Sequence, residues 1–257
     1  MRRLLYWLLA GIASVALTVA VYFPASWVAP IVEQQTGGRL TLGDVHGTLW
    51  RGSAFIGGAA SGSDPLTPLF PGRFTWRVSP MALLGTVDAE LENDAALSLP
   101  IRVTGNWRQL HVSPGVVLLP AERLAALGAP LNTVQPSGRM RLSWEALQLT
   151  RQNENIGMLG TMNLELNDIG SRLSPVKPLG SYDLLFDWQG THASVTLKTV
   201  KGPMILNGSG MFANGRLQFS ATAQAQAGQE QGLANFLNLL GQHRKVDGKD
   251  VIALEFN

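Results

Sequence analysis

The residues able to do chemistry are sparse and scattered. Four histidines occur, at 46, 111, 192 and 243, with no second histidine or cysteine close in sequence to any of them. A local metal centre needs such a second ligand a few positions away, so none is expected. Asp88, Glu90, Glu92 and Asp94 are two apart and would leave one face of a strand together. Such a face could hold a cation, but a wet strand face that discourages pairing with foreign edges accounts for it better. No G-x-S-x-G elbow is present, because Ser209 in NGSG lacks the preceding glycine. Asn207-Gly208-Ser209 matches a glycosylation sequon and is read as a turn. The absence of cysteine removes thiolate chemistry and any disulfide framework. Neither catalytic residue, metal nor cofactor is assigned, and the chain is not expected to be an enzyme.

Glycines and tryptophans carry more information. The stretch Gly37 to Gly58, GGRLTLGDVHGTLWRGSAFIGG, has neither GxxxxGK[ST] nor GxGxxG spacing, so it is no phosphate-binding loop. Leu40 and Leu42 share one parity, whereas Val45 and Leu49 take the other. This one-residue slip near Gly43-Asp44 predicts a β-bulge. Two strands joined around His46-Gly47 follow, with Trp50, Ala54 and Ile56 on one face and Arg51, Ser53 and Phe55 on the other. Tryptophans 50, 76, 107, 144 and 188 recur about once per strand pair and are expected in the core, among Leu and Met neighbours. Trp50, Arg51, Trp76 and Trp107 are retained as candidate interaction or structural residues.

The elements that must position them are mostly strands. Phe74-Trp76-Val78, Val87-Ala89-Leu91, Leu97-Leu99-Ile101-Val103, Met140-Leu142-Trp144, Met162-Leu164-Leu166, Tyr182-Leu184-Phe186-Trp188, Val195-Leu197 and Leu217-Phe219-Ala221-Ala223 all alternate with polar residues. Pro100 argues for an edge or interruption within the third run. Asn214-Gly215 is a two-residue hairpin signal. Short helices are expected at Ala25 to Thr36, Pro120 to Leu127 and Gly232 to Leu240. Three short helices cannot cover about ten antiparallel strands, so the sheet must roll on itself or pack on another, as a sandwich or half-barrel. Small inward residues Ala221, Ala223 and Ala225 suggest open space near the C-terminal end.

Leu4 to Phe23 is an uncharged run of 20 residues, long enough as a helix to cross a bilayer once. Arg2 and Arg3 precede it and the next basic residue is Arg39, which orients the N-terminus to the cytoplasm. Signal-peptide cleavage competes, with Thr18 and Ala20 at the small-residue positions, but Tyr22, Phe23 and Trp27 suit an interfacial aromatic belt and favour a retained anchor. The expected organisation is an anchor at 1–23, a juxtamembrane helix or linker at 24–38 and a β domain at 39–257. Of 20 Lys and Arg, 18 lie beyond the span against 18 Asp and Glu, so the pI of 9.1 gives no basis for binding nucleic acid.

Taken together, T-G-G-R-L at Thr36 to Leu40, G-T-L-W-x-G at Gly47 to Gly52, L-P-A…L-G-A-P-L-N at Leu119 to Asn132, G-P-M-x-L-x-G-x-G at Gly202 to Gly210 and L-L-G-Q at Leu239 to Gln242, behind a single span followed by Pro24 and Trp27, resemble the type II (general) secretion system protein N family. Met204 stands where the family pattern favours Leu. The resemblance implies a bitopic inner-membrane protein of a Gram-negative cell, its periplasmic β domain an accessory part of the apparatus that exports folded proteins. It carries no catalytic residues. Partners are then other secretion subunits, reached through strand edges or an aromatic-rich surface. The strand-after-strand pattern also resembles groove-shaped lipid-handling proteins of the AsmA kind, which implies an apolar interior that holds acyl chains.

Overall fold

The computed structural model describes residues 6–7, 11–12, 14–15, 18–19, 21–36, 40–58, 67–127, 131–152, 155–213, 216–246 and 249–256. Among them seventeen strands form: β1 (Leu40–Gly47), β2 (Arg51–Gly58), β3 (Thr67–Pro68), β4 (Phe74–Val78), β5 (Thr86–Glu92), β6 (Ile101–Asn106), β7 (Gln109–Val112), β8 (Gly115–Pro120), β9 (Pro136–Trp144), β10 (Leu147–Gln152), β11 (Asn155–Ser171), β12 (Gly180–Gly190), β13 (His192–Lys201), β14 (Met204–Ala213), β15 (Arg216–Ala225), β16 (Gln242–Val246) and β17 (Lys249–Phe256). Three α-helices accompany them: α1 (Val28–Gln35), α2 (Leu131–Val134) and α3 (Glu230–Leu240). Single 3-10 turns lie at Ala25–Trp27, Pro80–Leu84 and Ala121–Leu127.

All pairings are antiparallel, and most join strands close in sequence. Neighbour follows neighbour from β1 through β2, β4, β5, β6, β7, β10, β11, β12, β13, β14 and β15 to β17 and β16, with the short β3 also on β2. The long β11 makes the sheet fork. Its first residues pair with β10, whereas Met162 to Ser171 pair with β9, which in turn carries β8. A sheet this wide must curl, because each strand is rotated about 20° or more from the last. Its two end strands, β1 and β16, stay unpaired to one another, so the sheet is open.

One face of the curl is apolar across its width. Val117, Leu142, Leu164, Leu184 and Leu197 stand opposite one another on β8, β9, β11, β12 and β13, and the row goes on through Gly208, Ala221 and Leu254. The reverse face over the same strands carries Arg141, Glu165, Asp183 and Lys198, with Arg141 and Glu165 paired at 2.7 Å. The β8–β9 ribbon folds over the apolar side of β2 to β7, so Phe74, Ala96, Leu97 and Ile101 bury against Val117 and Trp144. An isolated Leu97–Val117 bridge pins that closure. The other core sits under α3, where Leu233, Phe236 and Leu237 meet Leu179, Tyr182, Leu197, Met204, Ala221, Ala223 and Ile252.

The periodicities of Phe74–Val78, Met140–Trp144, Met162–Leu166, Tyr182–Trp188 and Leu217–Ala223 all lie within strands. The bulge is also present: the β1–β2 register slips between Gly43 and His46, and Asp44 has φ 51°. Other expectations need correction. There are seventeen strands rather than about ten, because short pieces such as β3, β7 and β10 hold too few residues to show a period. The turn between β1 and β2 falls at Thr48 to Trp50, since His46 and Gly47 still pair with Ser53 and Gly52. Leu97 to Pro100 is not regular strand; Leu97 is buried in a bend, and β6 starts at Ile101 after the proline. Pro120 ends β8, and the short helix expected from it follows directly as the 3-10 helix Ala121–Leu127. Ala221 and Ala223 make room for α3, and the open space expected at this end lies beside that helix, lined in part by Ala223 and Ala225.

Among the described residues no helix is long and apolar enough to cross a membrane. Nine of the 20 residues of the Leu4 to Phe23 run lie outside the described residues; of those within it, Tyr6, Trp7, Ile12, Val15, Val19 and Val21 are helical and exposed. The predicted Asn214-Gly215 turn also lies outside, although its flanks Ala213 and Arg216 pair.

Candidate docking and ligand surfaces

The candidate residues divide between one sheet corner and one turn. Trp50 sits in the β1–β2 turn, half-buried, and its carbonyl accepts the Val78 N–H at 2.7 Å. Arg51 opens β2, is exposed, and stands directly opposite Arg77 on β4. Like charges in that position repel, and the next residues in the register relieve it: Arg77 faces Glu90, and Glu90 faces Arg102. Arg77 reaches Glu92 at 3.2 Å and Arg102 reaches Glu90 at 3.6 Å. The acidic run therefore serves as the counter-charge of an arginine ladder, and Asp94 lies beyond the strand. Among the described residues no group of three or more His, Asp or Glu could hold a metal ion.

Trp76 lies on the opposite face of β4, and its Nε1 donates to the Leu49 carbonyl at 3.1 Å. Gly52 is its cross-strand partner, and a Cβ there would collide with the indole. The same pairing recurs at Gly115 and Trp144, and Gly160 stands opposite Trp188. The Trp76 and Trp144 rings each lie over a strand residue with no side chain, as aromatic rescue of a glycine requires, whereas Leu147 covers Gly160. That partnership is invisible in sequence because the glycine and tryptophan are 24 to 29 residues apart and the register that joins them is tertiary. Trp107 departs from the core expectation. It occupies the β6–β7 turn, is 59% exposed, and donates from Nε1 to the Ala82 carbonyl at 2.8 Å.

Sequence reasoning also missed Arg73. Its guanidinium pairs with Asp44 at the bulge, donates to the Asp44 carbonyl at 2.8 Å and Ser53 Oγ at 3.2 Å, and lies 4.5 Å from the Phe55 ring centroid. The bulge turns Asp44 toward it, so a backbone irregularity positions a charge cluster on the outer face.

The apolar face contains a cavity of about 330 Å³ bounded by Phe70, Val117, Leu119, Met140, Leu142, Met162, Leu164, Phe186 and Trp188. No charged side chain lines it. Trp188 Nε1 is buried there and is the one buried side-chain polar atom among the described residues without a hydrogen-bond partner. Trp188 also packs edge-on against Phe212 at 5.4 Å. A second, larger space of about 660 Å³ opens between α3 and β14–β15, lined by Ile205, Ala223, Ala225, Ala234, Leu237 and Ile252 together with polar residues.

No curated protein and no solved structure matches the chain. The family described as Type II secretion system (T2SS), protein N matches residues 38–252, which take in the arginine ladder, the apolar cavity and α3. The ordered glycine and tryptophan motifs, the mostly antiparallel open sheet and this match converge: the chain belongs to the type II secretion system protein N family.

Proposed function

We propose that the chain is an accessory, inner-membrane-anchored component of the type II secretion machinery, with its N-terminus in the cytoplasm and its β domain in the periplasm, working by protein–protein contact. The family match over most of the chain supports the secretion role. The contact surface is the Arg51–Arg77–Glu90–Arg102 ladder, which leaves charged groups of both signs available on one face of the sheet. Mixed charges of this kind are what a specific, reversible protein interface uses. No catalytic step is assigned to any residue.

In vivo photocross-linking from positions 51 and 102 tests this. Adducts to other secretion subunits, lost when the arginine ladder is reversed by Arg77→Glu, are expected. Cross-links that go only to unrelated envelope proteins would overturn the reading.

A second reading, that the rolled sheet holds an acyl lipid, is favoured by the uncharged cavity. A site of this size with apolar walls is within the range of small-ligand pockets and suits an acyl chain. Native mass spectrometry of the detergent-purified chain would show stoichiometric lipid, lost in Leu164→Trp. A lipid-free spectrum would remove this second reading.

A further inference from the structure

The turn Pro80–Leu84 presents an apolar tip that the sheet does not cover. Met81 is 57%, Leu83 64% and Leu84 81% exposed, and Trp107 stands beside them at 59%. The tip is held in shape. Ser79 Oγ accepts the Met81 N–H at 3.3 Å, Ala82 is buried beneath, Gly85 closes the turn at φ 100°, and Trp107 Nε1 bonds the Ala82 carbonyl. A rigid turn that exposes three large apolar side chains together calls for a partner that is itself apolar.

Its place in the fold identifies that partner. Val78, just before the turn, donates to the Trp50 carbonyl, Leu49 donates to the Phe23 carbonyl at 2.9 Å, and Pro24 bridges Thr48. Val21 and Pro80 line the same cavity of about 400 Å³. The tip therefore lies where the N-terminal apolar helix leaves the sheet, the stretch that carries exposed Tyr22 and Trp27, the latter packed edge-on against Phe23 at 5.2 Å. Arg51, Arg77 and Arg102 line that cavity too, with Asp88 and Glu90, and Glu92 pairs with Arg77, so a band of mixed charge adjoins the tip. An apolar point, a tryptophan collar and a charged band, in that order, match the polarity gradient of a bilayer surface. Between Pro80 and Leu84 no side chain offers an N–H or O–H, which fits hydrocarbon better than a hydrogen-bonded protein groove.

We propose that the Pro80–Leu84 turn and Trp107 dip into the headgroup–acyl boundary of the leaflet from which the N-terminal helix emerges, fixing the sheet's tilt on the membrane. This rests on the anchored reading above.

The chain has no cysteine, so single labels are unambiguous. An NBD fluorophore would be placed by Leu84→Cys, by Val15→Cys in the apolar run, and by Leu239→Cys, 70% exposed on α3. That helix follows β15, which ends opposite Met204 at the far end of the strands from the Trp107 turn. The full chain would be placed in phosphatidylethanolamine–phosphatidylglycerol nanodiscs carrying a doxyl quencher near the headgroup. Blue-shifted, quenched emission at 84 and 15, with water-like, unquenched emission at 239, is expected. Quenching at 15 with position 84 behaving like 239 would overturn the proposal and leave the anchor standing. No quenching at 15 would overturn the anchored reading and the proposal with it. Quenching at all three would overturn the proposal by showing a sheet lying flat on the lipid.

Discussion

Gly115 has room for a hydrogen and nothing larger, because the Trp144 ring occupies the space in which a Cβ would stand. The indole cannot retreat freely, since its Nε1 donates to the Ser113 carbonyl at 2.9 Å. Gly115→Ala should therefore overpack the site and cost about 1–3 kcal/mol in urea unfolding, with near-ultraviolet dichroism reporting the displaced ring. Tyr182 shows the opposite economy of a polar tip in a core. It is 3% exposed, and its hydroxyl donates to the Met204 carbonyl at 3.1 Å. Tyr182→Phe leaves that carbonyl unpaired and should cost about 1–2 kcal/mol. Burial pushes the phenol well above its ordinary value of 10.0. A raised acid favours folding below the unfolded value and loses that stability as pH climbs past 10, so Tyr182→Phe should show a shallower alkaline limb in a stability–pH profile.

Elements are tied together at the second irregularity of the sheet. Register slips again between Asn167 and Gly170 on β11, where Asp168 takes φ 52° and its N–H donates to Ser181 Oγ at 3.0 Å. Its carboxylate receives Lys201 of β13 at 3.4 Å, from across β12, and Arg139 of β9 at 3.2 Å. The Lys201 hydrogen bond and charge hold the Asp168 carboxyl below its ordinary range; burial opposes them, and Arg139 adds a weaker pull in the same direction as Lys201. A lowered carboxyl stabilises the fold above the unfolded value, and the contribution disappears as pH falls through the folded value. The group is exposed, so the effect should be small and sensitive to salt. Asp168→Asn should flatten the acid limb of the profile at low salt and match the parent at about 1 M salt, where the screening length is about 3 Å. For α3 the logic is steric: Gly208, Ala221 and Ala223 keep the sheet low beneath it, so Leu233 can reach full burial.

At the scale of the whole molecule, the curl has an apolar inside and a charged outside, and only its C-terminal end has an α-helical lid. Proteins whose sheets end in unpaired strands must protect those edges, and here β1 lies beside α1 at the anchor end. Under the anchored reading, alkaline phosphatase fused after Asn257 should be active while a cytosolic reporter at the same place is not. The reverse pattern would place the β domain in the cell interior. Replacing the Leu4 to Phe23 run with a cleavable signal peptide should release the β domain into the soluble periplasmic fraction with its dichroism still β-type.

Period-two alternation alone determined that the chain is mostly β, which faces of Phe74–Val78, Met162–Leu166 and Tyr182–Trp188 are apolar, and where the first bulge lies, because a pleated strand places successive side chains on opposite faces. The paucity of helix showed that the sheet must roll. Composition placed α3 by its 3.6-residue spacing, and the ordered motifs pointed to the family. Only the tertiary structure decided that Trp107 stands outside the core, that glycines lie under Trp76 and Trp144, that Arg73 meets Asp44, and that a helix fills part of the space over Ala221 and Ala223. These facts depend on which strands become neighbours and in what register. Register is a property of pairs of distant segments, and no local spacing contains it.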